Sequence, residues 1–130
     1  MGASMVFDTD VLIWCLRGNA RAGQAIQRDP SRALSIVSYM ELLQGAKNRR
    51  ELGLIRAFLK DLGFAMLPLT EAIGHRAAVY MEEYTLKGAL SMPDALVAAT
   101  VVDAGETLCT ANTKHFKIVA ELSVKPFRPE

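Results

Sequence analysis

An α/β fold with a central parallel sheet is the architecture that this sequence predicts. Short apolar runs of strand length alternate along the chain with longer segments whose apolar residues recur at helical spacing. Such alternation is typical of parallel sheets. A chain of 130 residues, 51% hydrophobic and 22% charged, also has the size and composition of one globular domain. We therefore expect a single domain over residues 5–130, and we give residues 1–4, which could be leader residues, no role.

Four apolar runs and one proline-containing segment are the candidate strands. The four runs are residues 5–7, 34–37, 65–67 and 107–110. Residues 124–127 are the candidate for a fifth strand, which we expect at an edge of the sheet because proline cannot donate a ladder hydrogen bond.

Three segments between these strands are predicted to be helices. The apolar face of the first comprises Leu52, Ile55, Phe58, Leu59 and Leu62. The apolar face of the second comprises Ile73, Ala77, Tyr80, Met81 and Tyr84. Residues 95–102 are apolar on almost every side, so they predict the most buried helix. Glycines that follow helical patterns, where a left-handed cap is favoured, are Gly18, Gly45, Gly63, Gly88 and Gly105.

Net charge and cysteine content exclude several classes of protein. A formal charge of +1 excludes a binder that attracts nucleic acid through a strong overall field, so any such contact must come from a local patch. Cys15 and Cys109 have apolar neighbours and no C-x-x-C partner, which predicts two buried free thiols rather than a disulfide or a zinc site. No apolar stretch approaches the roughly 20 residues of a membrane-spanning helix. We therefore expect a cytoplasmic protein without a membrane partner.

Three acidic residues lie where predicted strands end or predicted helices begin. Asp8 directly follows the first strand, Glu41 lies just inside the helix after the second, and Asp94 lies in the first turn of the buried helix. In parallel sheets the carboxyl ends of strands and the amino ends of the following helices meet at one edge, where ligands usually bind. Oxygen ligands without histidine or cysteine suit Mg²⁺, or Mn²⁺, better than Zn²⁺. The three carboxylates therefore predict a divalent metal site.

Helix capping is a structural alternative for the same acids. Ser38-x-x-Glu41 matches a capping box and Ser91-x-x-Asp94 nearly does, so capping alone would account for both acids. Asp10 is expected to cap the first helix. The spacing leaves both interpretations of Glu41 and Asp94 open.

Other conspicuous residues have ordinary structural interpretations. Trp14, on an apolar helix, is expected to be a core or dimer contact, with base stacking as the alternative. His115 lies in a polar turn and is expected to be solvated or to cap a helix. The basic residues Lys47, Arg49 and Arg50 are expected in a solvated turn, with phosphate contact as the alternative.

Four blocks of sequence, taken together, resemble the PIN-domain family. The blocks are Val-Phe-Asp-Thr-Asp-Val-Leu-Ile at 6–13, Ser-Ile-Val-Ser-Tyr-Met-Glu-Leu at 35–42, Met-Pro-Asp-Ala-Leu-Val-Ala-Ala at 92–99 and Leu-Cys-Thr-Ala-Asn-Thr-Lys-His-Phe at 108–116. All four occur in the family's order and together cover nearly the whole chain. The length is similar to that of the VapC-like branch, the ribonuclease toxins of toxin–antitoxin pairs.

The resemblance implies a three-layer α/β/α sandwich around a central parallel sheet. It further implies a Mg²⁺-dependent endoribonuclease, the toxin component of a toxin–antitoxin pair, that leaves 5′-phosphate and 3′-hydroxyl ends on RNA. The implied partners are the RNA substrate, a cognate antitoxin that fills the acidic crevice, and a second copy of the chain in a homodimer. Apolar candidates for the partner contacts are Trp14, Phe58 and Tyr80.

The resemblance also assigns roles to single residues. By position, Asp8, Glu41 and Asp94 are implied to hold the metal and, with Asn112, to be catalytic. The supporting residues are Thr110, Ser38 and Asp10. Many members of the family have aspartate where this chain has Asn112, so one negative charge is missing here. An asparagine is expected to orient a water molecule rather than to hold a second ion tightly.

Two other functions compete with this interpretation. A signalling receiver domain also has acidic residues and Mg²⁺ at the end of a parallel sheet, but it needs a lysine at a later strand end, and none follows the third or fourth strand here. A PIN-like module that binds RNA or protein with weak or no catalysis is favoured only by Asn112. Transfer, ribosomal and messenger RNA all remain candidate substrates.

Overall fold

The computed structural model describes residues 5–88 and 90–130, and its centre is a five-stranded parallel sheet. The strands are β1 (Met5–Phe7), β2 (Arg32–Ser35), β3 (Ala65–Leu67), β4 (Thr107–Thr110) and β5 (Ser123–Pro126). Their order across the sheet is β3-β2-β1-β4-β5, and every neighbouring pair is parallel. The predicted parallel α/β fold is confirmed, with the proline-containing strand at an edge. The expectation for residues 1–4 lies outside the described residues.

Helices cover both faces of the sheet, which makes the three predicted layers. They are α1 (Thr9–Leu16), α2 (Ala20–Arg28), α3 (Ile36–Gln44), α4 (Arg49–Asp61), α5 (Glu71–Tyr84), α6 (Met92–Ala104) and α7 (Thr113–Phe116). Successive strand residues point to opposite faces. Val6 and Leu108 accordingly pack into a core with α5 and α6, whereas Phe7 and Cys109 pack into a second core with α1, α2 and α4.

The apolar helix α6 is the most deeply buried helix, as its sequence predicts. Its buried residues are Ala95, Val97, Ala98, Ala99, Thr100 and Val101. Because alanines occupy little space, this helix can lie close to both the sheet and α5. The amphipathic faces predicted for α4 and α5 are also confirmed: Ile55 and Leu59 are buried in the first, and Ile73, Ala77 and Tyr80 in the second.

Two helix beginnings differ from the prediction. Strand β2 ends at Ser35, two residues earlier than expected, because the Ser35 hydroxyl accepts a 3.0 Å hydrogen bond from the Val37 amide and begins α3 there. The predicted capping box is therefore wrong, since Ser38 lies inside α3. The expected cap at Asp10 is wrong as well. Asp8 caps α1 by accepting a 2.9 Å bond from the Thr9 amide.

The prediction of left-handed glycine caps holds at three of the five glycines. Gly18, Gly63 and Gly105 have positive φ angles of 87°, 68° and 67°, as left-handed caps require. Gly45 has φ −80°, and Gly88 is not in the left-handed region either, so the prediction is wrong at both. A Cβ at Gly88 would lie 2.9 Å from the Cδ1 atom of Ile118, so a larger residue there would require the end of that side chain to shift.

Both cysteines are free thiols, but only one of them is buried. Cys109 is buried within the second core, whereas Cys15 is half-buried and packs against that core. Within residues 5–88 and 90–130, no helix combines the length and hydropathy needed to cross a bilayer.

The strand order also tests the alternative that the chain is a signalling receiver domain. Receiver domains have the order 2-1-3-4-5, in which the third strand lies on the other side of the first strand from the second. The order β3-β2-β1-β4-β5 found here places β1 in the middle and two later strands on each side of it. The receiver alternative is therefore wrong.

Candidate active site

Asp8 lies at the carboxyl end of the central strand β1, and its side chain is only 6% exposed. Its amide donates a 3.0 Å bond to the Cys109 carbonyl of β4, which continues the sheet by one residue. One carboxylate oxygen, Oδ1, accepts from the Thr9 amide at 2.9 Å. The other, Oδ2, accepts from the Thr110 hydroxyl at 2.8 Å. The carboxylate is thus fixed by the beginning of α1 on one side and the end of β4 on the other.

Burial makes the charged form of Asp8 unfavourable. Desolvation, and next the nearby charge of Asp10, raise the pKa of Asp8 from 3.8 to about 7, although the bonds from Thr110 and Thr9 oppose the shift. Asp94 contributes a smaller repulsion in the same direction. A group with these surroundings is most stable as a carboxylate when a cation lies beside it.

Asp10 belongs to the same cluster. Its Oδ2 atom accepts a 3.1 Å bond from the Ala111 amide, which follows β4. Its Oδ1 atom is buried and has no hydrogen-bond partner within the described part of the chain. Burial raises the pKa of Asp10. The sequence prediction treated Asp10 first as a cap, and its spacing of two residues from Asp8 was the signal that it faces the same edge.

Thr110 links the two aspartates. It ends β4, is fully buried, and has a single hydroxyl proton. The 2.8 Å distance to Asp8 Oδ2 is shorter than the 3.5 Å distance to Asp10 Oδ2, so Asp8 is the better acceptor. The same hydroxyl accepts a 3.0 Å bond from the Asn112 amide, which orders the turn after the strand. Thr110 therefore holds Asp8 and the Asn112 backbone together.

Glu41 reaches this cluster through Thr9. It lies in α3, half-buried, and its Oε1 atom accepts a 2.7 Å bond from the Thr9 hydroxyl. Since the Thr9 amide binds Asp8, one residue of α1 contacts both acids. Ser38 lies about one turn before Glu41 on the same helix, and its buried hydroxyl has no partner among residues 5–88 and 90–130.

Asp94 shares no hydrogen bond with the other acids in the described ranges and lies next to His115. It is in the first turn of α6, where its amide donates a 3.3 Å bond to the Ser91 hydroxyl, so the predicted cap at Ser91 is confirmed. The Asp94 side chain is 25% exposed, and its Oδ2 atom is 3.8 Å from Nδ1 of His115. The sequence prediction did not pair these two residues. The only available signal was the position of His115 in the fourth family-like block.

Asn112 lies at the mouth of the cluster. It is exposed at the beginning of α7, and its side chain makes no capping bond there. Its backbone is fixed, because the amide donates to the Thr110 hydroxyl and the carbonyl accepts a 3.1 Å bond from the His115 amide. The amide side chain is therefore accessible to a molecule that approaches the acidic edge.

The structure joins Asp8, Asp10, Thr110, Thr9 and Glu41 by hydrogen bonds and leaves Asp94 beside His115. Across the described ranges, no three acidic, histidine or cysteine side chains are arranged closely enough to form a preassembled metal site. The donors are nevertheless suited to a hard cation, because all of them are oxygens and one buried carboxylate oxygen of Asp10 lacks a partner.

Comparison with known proteins points to one family. Residues 5–122 match the PIN domain. The chain is 30% identical to a chain of a toxin–antitoxin complex from Klebsiella pneumoniae, with 98% of each chain covered and a TM-score of 0.79. No curated protein sequence matches the chain.

Two more distant structures share the fold. One is VapBC2 from Rickettsia felis bound to a promoter DNA fragment, at 16% identity and TM-score 0.82 over 95% of this chain and 98% of that chain. The other is VapC20 from Mycobacterium tuberculosis, a toxin that cleaves the sarcin–ricin loop, at 18% identity and TM-score 0.70 over 95% of this chain and 100% of that chain.

Proposed function

Because this chain belongs to the PIN-domain family, we propose that it is a metal-dependent endoribonuclease that hydrolyses RNA phosphodiester bonds as the toxin of a toxin–antitoxin pair. The observation that carries the proposal is the cluster of Asp8, Asp10 and Thr110 at the carboxyl edge of the sheet, with one buried carboxylate oxygen left unpaired. The similarity to a chain of a toxin–antitoxin complex supports the assignment as a toxin. RNA cleavage by VapC20, which shares the fold, supports RNA as the substrate.

Asp8, Glu41 and Asp94 are the proposed ligands of Mg²⁺ or Mn²⁺, with the unpaired Oδ1 atom of Asp10 beside them. When bound, the ion would lower the pKa of a water molecule and offset charge on the phosphoryl oxygens. Binding it would also offset the repulsion between Asp8 and Asp10, which now raises the pKa of Asp8.

The chain's own residues orient the reacting groups. Thr110 fixes the Asp8 carboxylate through Oδ2 and Thr9 fixes it through Oδ1, so the carboxylate plane is set before RNA binds. Thr9 also holds Glu41. The exposed amide of Asn112 can accept and donate hydrogen bonds, which suits it to orient a water molecule or a phosphate oxygen.

The groove between α1, α3 and α4 is the proposed docking site of the antitoxin. It has a volume of about 400 Å³ and contains Glu41. Leu16 and Leu54 line it and are 39% and 52% exposed. Two acids, Glu41 and Glu51, and one base, Arg17, line it as well, so the net charge of the groove is negative and suits an amphipathic segment with basic side chains. A basic residue of that segment could reach Glu41 and block the acidic edge.

The candidates for partner contacts differ in accessibility. Trp14 is 36% exposed and remains available to an antitoxin or to a second copy of the chain. Phe58 is half-buried. Tyr80 is 4% exposed, so it is a core residue and cannot supply a surface contact.

The proposed homodimer predicts twice the mass of 14.2 kDa in light scattering, and a monomer at high concentration would count against it.

A cleavage assay with labelled RNA tests the proposed function. We expect cleavage with Mg²⁺ or Mn²⁺, none with chelator, and products with 5′-phosphate ends. Asp8→Asn and Asp94→Asn should abolish cleavage. Asp103→Asn is the matched control, because Asp103 lies exposed on the same helix as Asp94. RNA binding without any metal-dependent cleavage would instead favour the alternative of a binding module, which the exposed Asn112 supports.

A further inference from the structure

A second groove lies between α2 and β5. It has a volume of about 430 Å³, within the roughly 300–1,000 Å³ range typical of ligand sites. Phe7, Cys109 and Phe127 line its apolar floor. Its walls carry Arg28 at the end of α2 and Lys125 on β5. This groove is distinct from the proposed antitoxin groove, with which it shares no residue.

Positive charge dominates the walls of this groove. Arg28, Lys125 and Arg128 line it, all three are exposed, and no acidic side chain lines it. Over residues 5–88 and 90–130, none of the three takes part in a salt bridge. Arg21 also lines the groove, but its guanidinium already donates to the main-chain oxygen of Glu130. We call Arg28, Lys125 and Arg128, with the floor between them, the basic groove.

The basic groove adjoins the carboxyl edge of the sheet at Phe127 and extends towards the amino ends of the strands, where Arg28 ends α2 shortly before β2 begins. Two of its floor residues, Phe7 and Cys109, immediately precede Asp8 and Thr110 in β1 and β4. The third, Phe127, donates a 2.9 Å amide bond to the Thr110 carbonyl, which fixes the end of β5 next to β4. A chain that leaves the acidic edge over the end of β5 could therefore continue into the groove, past Arg128 and Lys125 towards Arg28.

We propose that the basic groove binds backbone phosphates of single-stranded RNA on one side of the bond that is cut. The inference rests on the proposed function for the choice of RNA, and on charge complementarity for the place. The net charge of +1 gives no overall attraction, so a local cluster of unpaired cations must provide it. Arginine and lysine side chains in a groove are typical of contacts that position a strand without reading its sequence.

Binding measured without cleavage tests the groove directly. The full chain is titrated in chelator against a fluorescent single-stranded RNA, and anisotropy is followed at several salt concentrations. Removing one phosphate contact should weaken binding about 5-fold at 0.1 M salt and reduce the salt slope by about 0.7. The double variant Arg28→Gln with Lys125→Gln should show about twice the change in slope, and Lys125→Arg should bind as the native chain does.

The matched control removes one arginine and one lysine elsewhere. Arg56→Gln with Lys60→Gln changes two exposed residues of α4 and should leave RNA affinity and salt slope unchanged. Equal affinity of the two double variants for RNA would overturn the proposal. So would a groove variant that loses affinity for duplex DNA but keeps its affinity for RNA. Circular dichroism melting checks that each variant remains folded.

Cleavage kinetics separate this proposal from the proposed function. With Mg²⁺ present, the groove variant should have a raised KM and a nearly native kcat, because the removed contacts position RNA and do not touch the reacting bond. Native cleavage with an unchanged KM would refute the groove and leave the nuclease assignment intact. If the native chain cuts no RNA but loses RNA affinity in the groove variant, the groove stands and the nuclease assignment fails.

Discussion

The Thr110 hydroxyl donates a 2.8 Å hydrogen bond to Oδ2 of Asp8, joining residues 102 positions apart at the carboxyl ends of two neighbouring strands. The bond holds a carboxylate that is nearly excluded from water. It also lowers the pKa of Asp8 against the effect of burial. Thr110 therefore acts on the proposed chemistry through Asp8, as a positioning residue.

Replacing Thr110 tests this role. Thr110→Val keeps the shape of the side chain but removes the donor, so we expect a loss of about 1–3 kcal/mol of unfolding free energy at pH 8, where Asp8 is charged. We also expect a fall in RNA cleavage of roughly 10–100-fold. Thr110→Ser keeps the hydroxyl and should recover most of both. If Thr110→Val cleaves RNA as fast as Thr110→Ser, the bond has no positioning role.

The raised pKa of Asp8 predicts how stability depends on pH in metal-free protein. Between 3.8, the ordinary pKa, and about 7, the folded chain binds more protons than the unfolded chain, so Asp8 lowers stability as pH rises through this range. Asp8→Asn cannot ionise. Relative to the native chain, its free energy of unfolding should therefore be higher at pH 8 than at pH 4.5, by at most about 4 kcal/mol, with a correspondingly higher melting temperature.

The control for this pH effect is Asp103→Asn. Asp103 is exposed on α6, so its substitution should give the same difference from the native chain at both pH values. Thermal melts in chelator make the comparison. An Asp8→Asn variant that is less stable than the native chain at pH 8 would show that Asp8 is chiefly a structural cap of α1.

The amide at position 112 predicts opposite effects for two substitutions. Asn112→Asp adds a carboxylate at the mouth of the cluster and should tighten Mn²⁺ binding in calorimetry, with a second ion detectable without RNA. Asn112→Ala should lower the cleavage rate roughly 10–1,000-fold. Neither change should alter stability by more than about 0.5 kcal/mol, because the side chain is exposed and caps no helix. Native cleavage by Asn112→Ala would reduce Asn112 to a turn residue.

A charge in the apolar groove between α1, α3 and α4 should separate antitoxin binding from cleavage. Leu54 is 52% exposed in this groove, so Leu54→Glu should block complex formation with little effect on folding. Co-expression with the product of an adjacent reading frame, followed by size-exclusion chromatography, measures the complex. Leu69→Glu is the control, because Leu69 is 42% exposed but does not line the groove. Retention of the complex by Leu54→Glu would exclude this docking site.

Local periodicity in the sequence was enough to determine the layers of the fold. The apolar runs at 5–7, 65–67 and 107–110 correspond to β1, β3 and β4, because strands and helices with buried faces impose their own spacing on apolar residues. The apolar character of 95–102 likewise predicted the buried helix α6. The position of Asp8 at a strand end and of Asp94 in the first turn of a helix was also visible in the sequence, whereas Glu41 lies in the second half of α3 and not just inside its beginning as predicted.

Only the tertiary structure decided which polar groups meet. Asp10 could be taken for a helix cap until the turn after β4 placed the Ala111 amide against its carboxylate. The link from Thr9 to Glu41 likewise depends on how α1 lies beside α3. Side-chain hydrogen bonds form over about 3 Å, whereas sequence patterns fix only which face or end of an element a residue occupies. The partners of a buried carboxylate are therefore set by packing between elements that are distant in the chain.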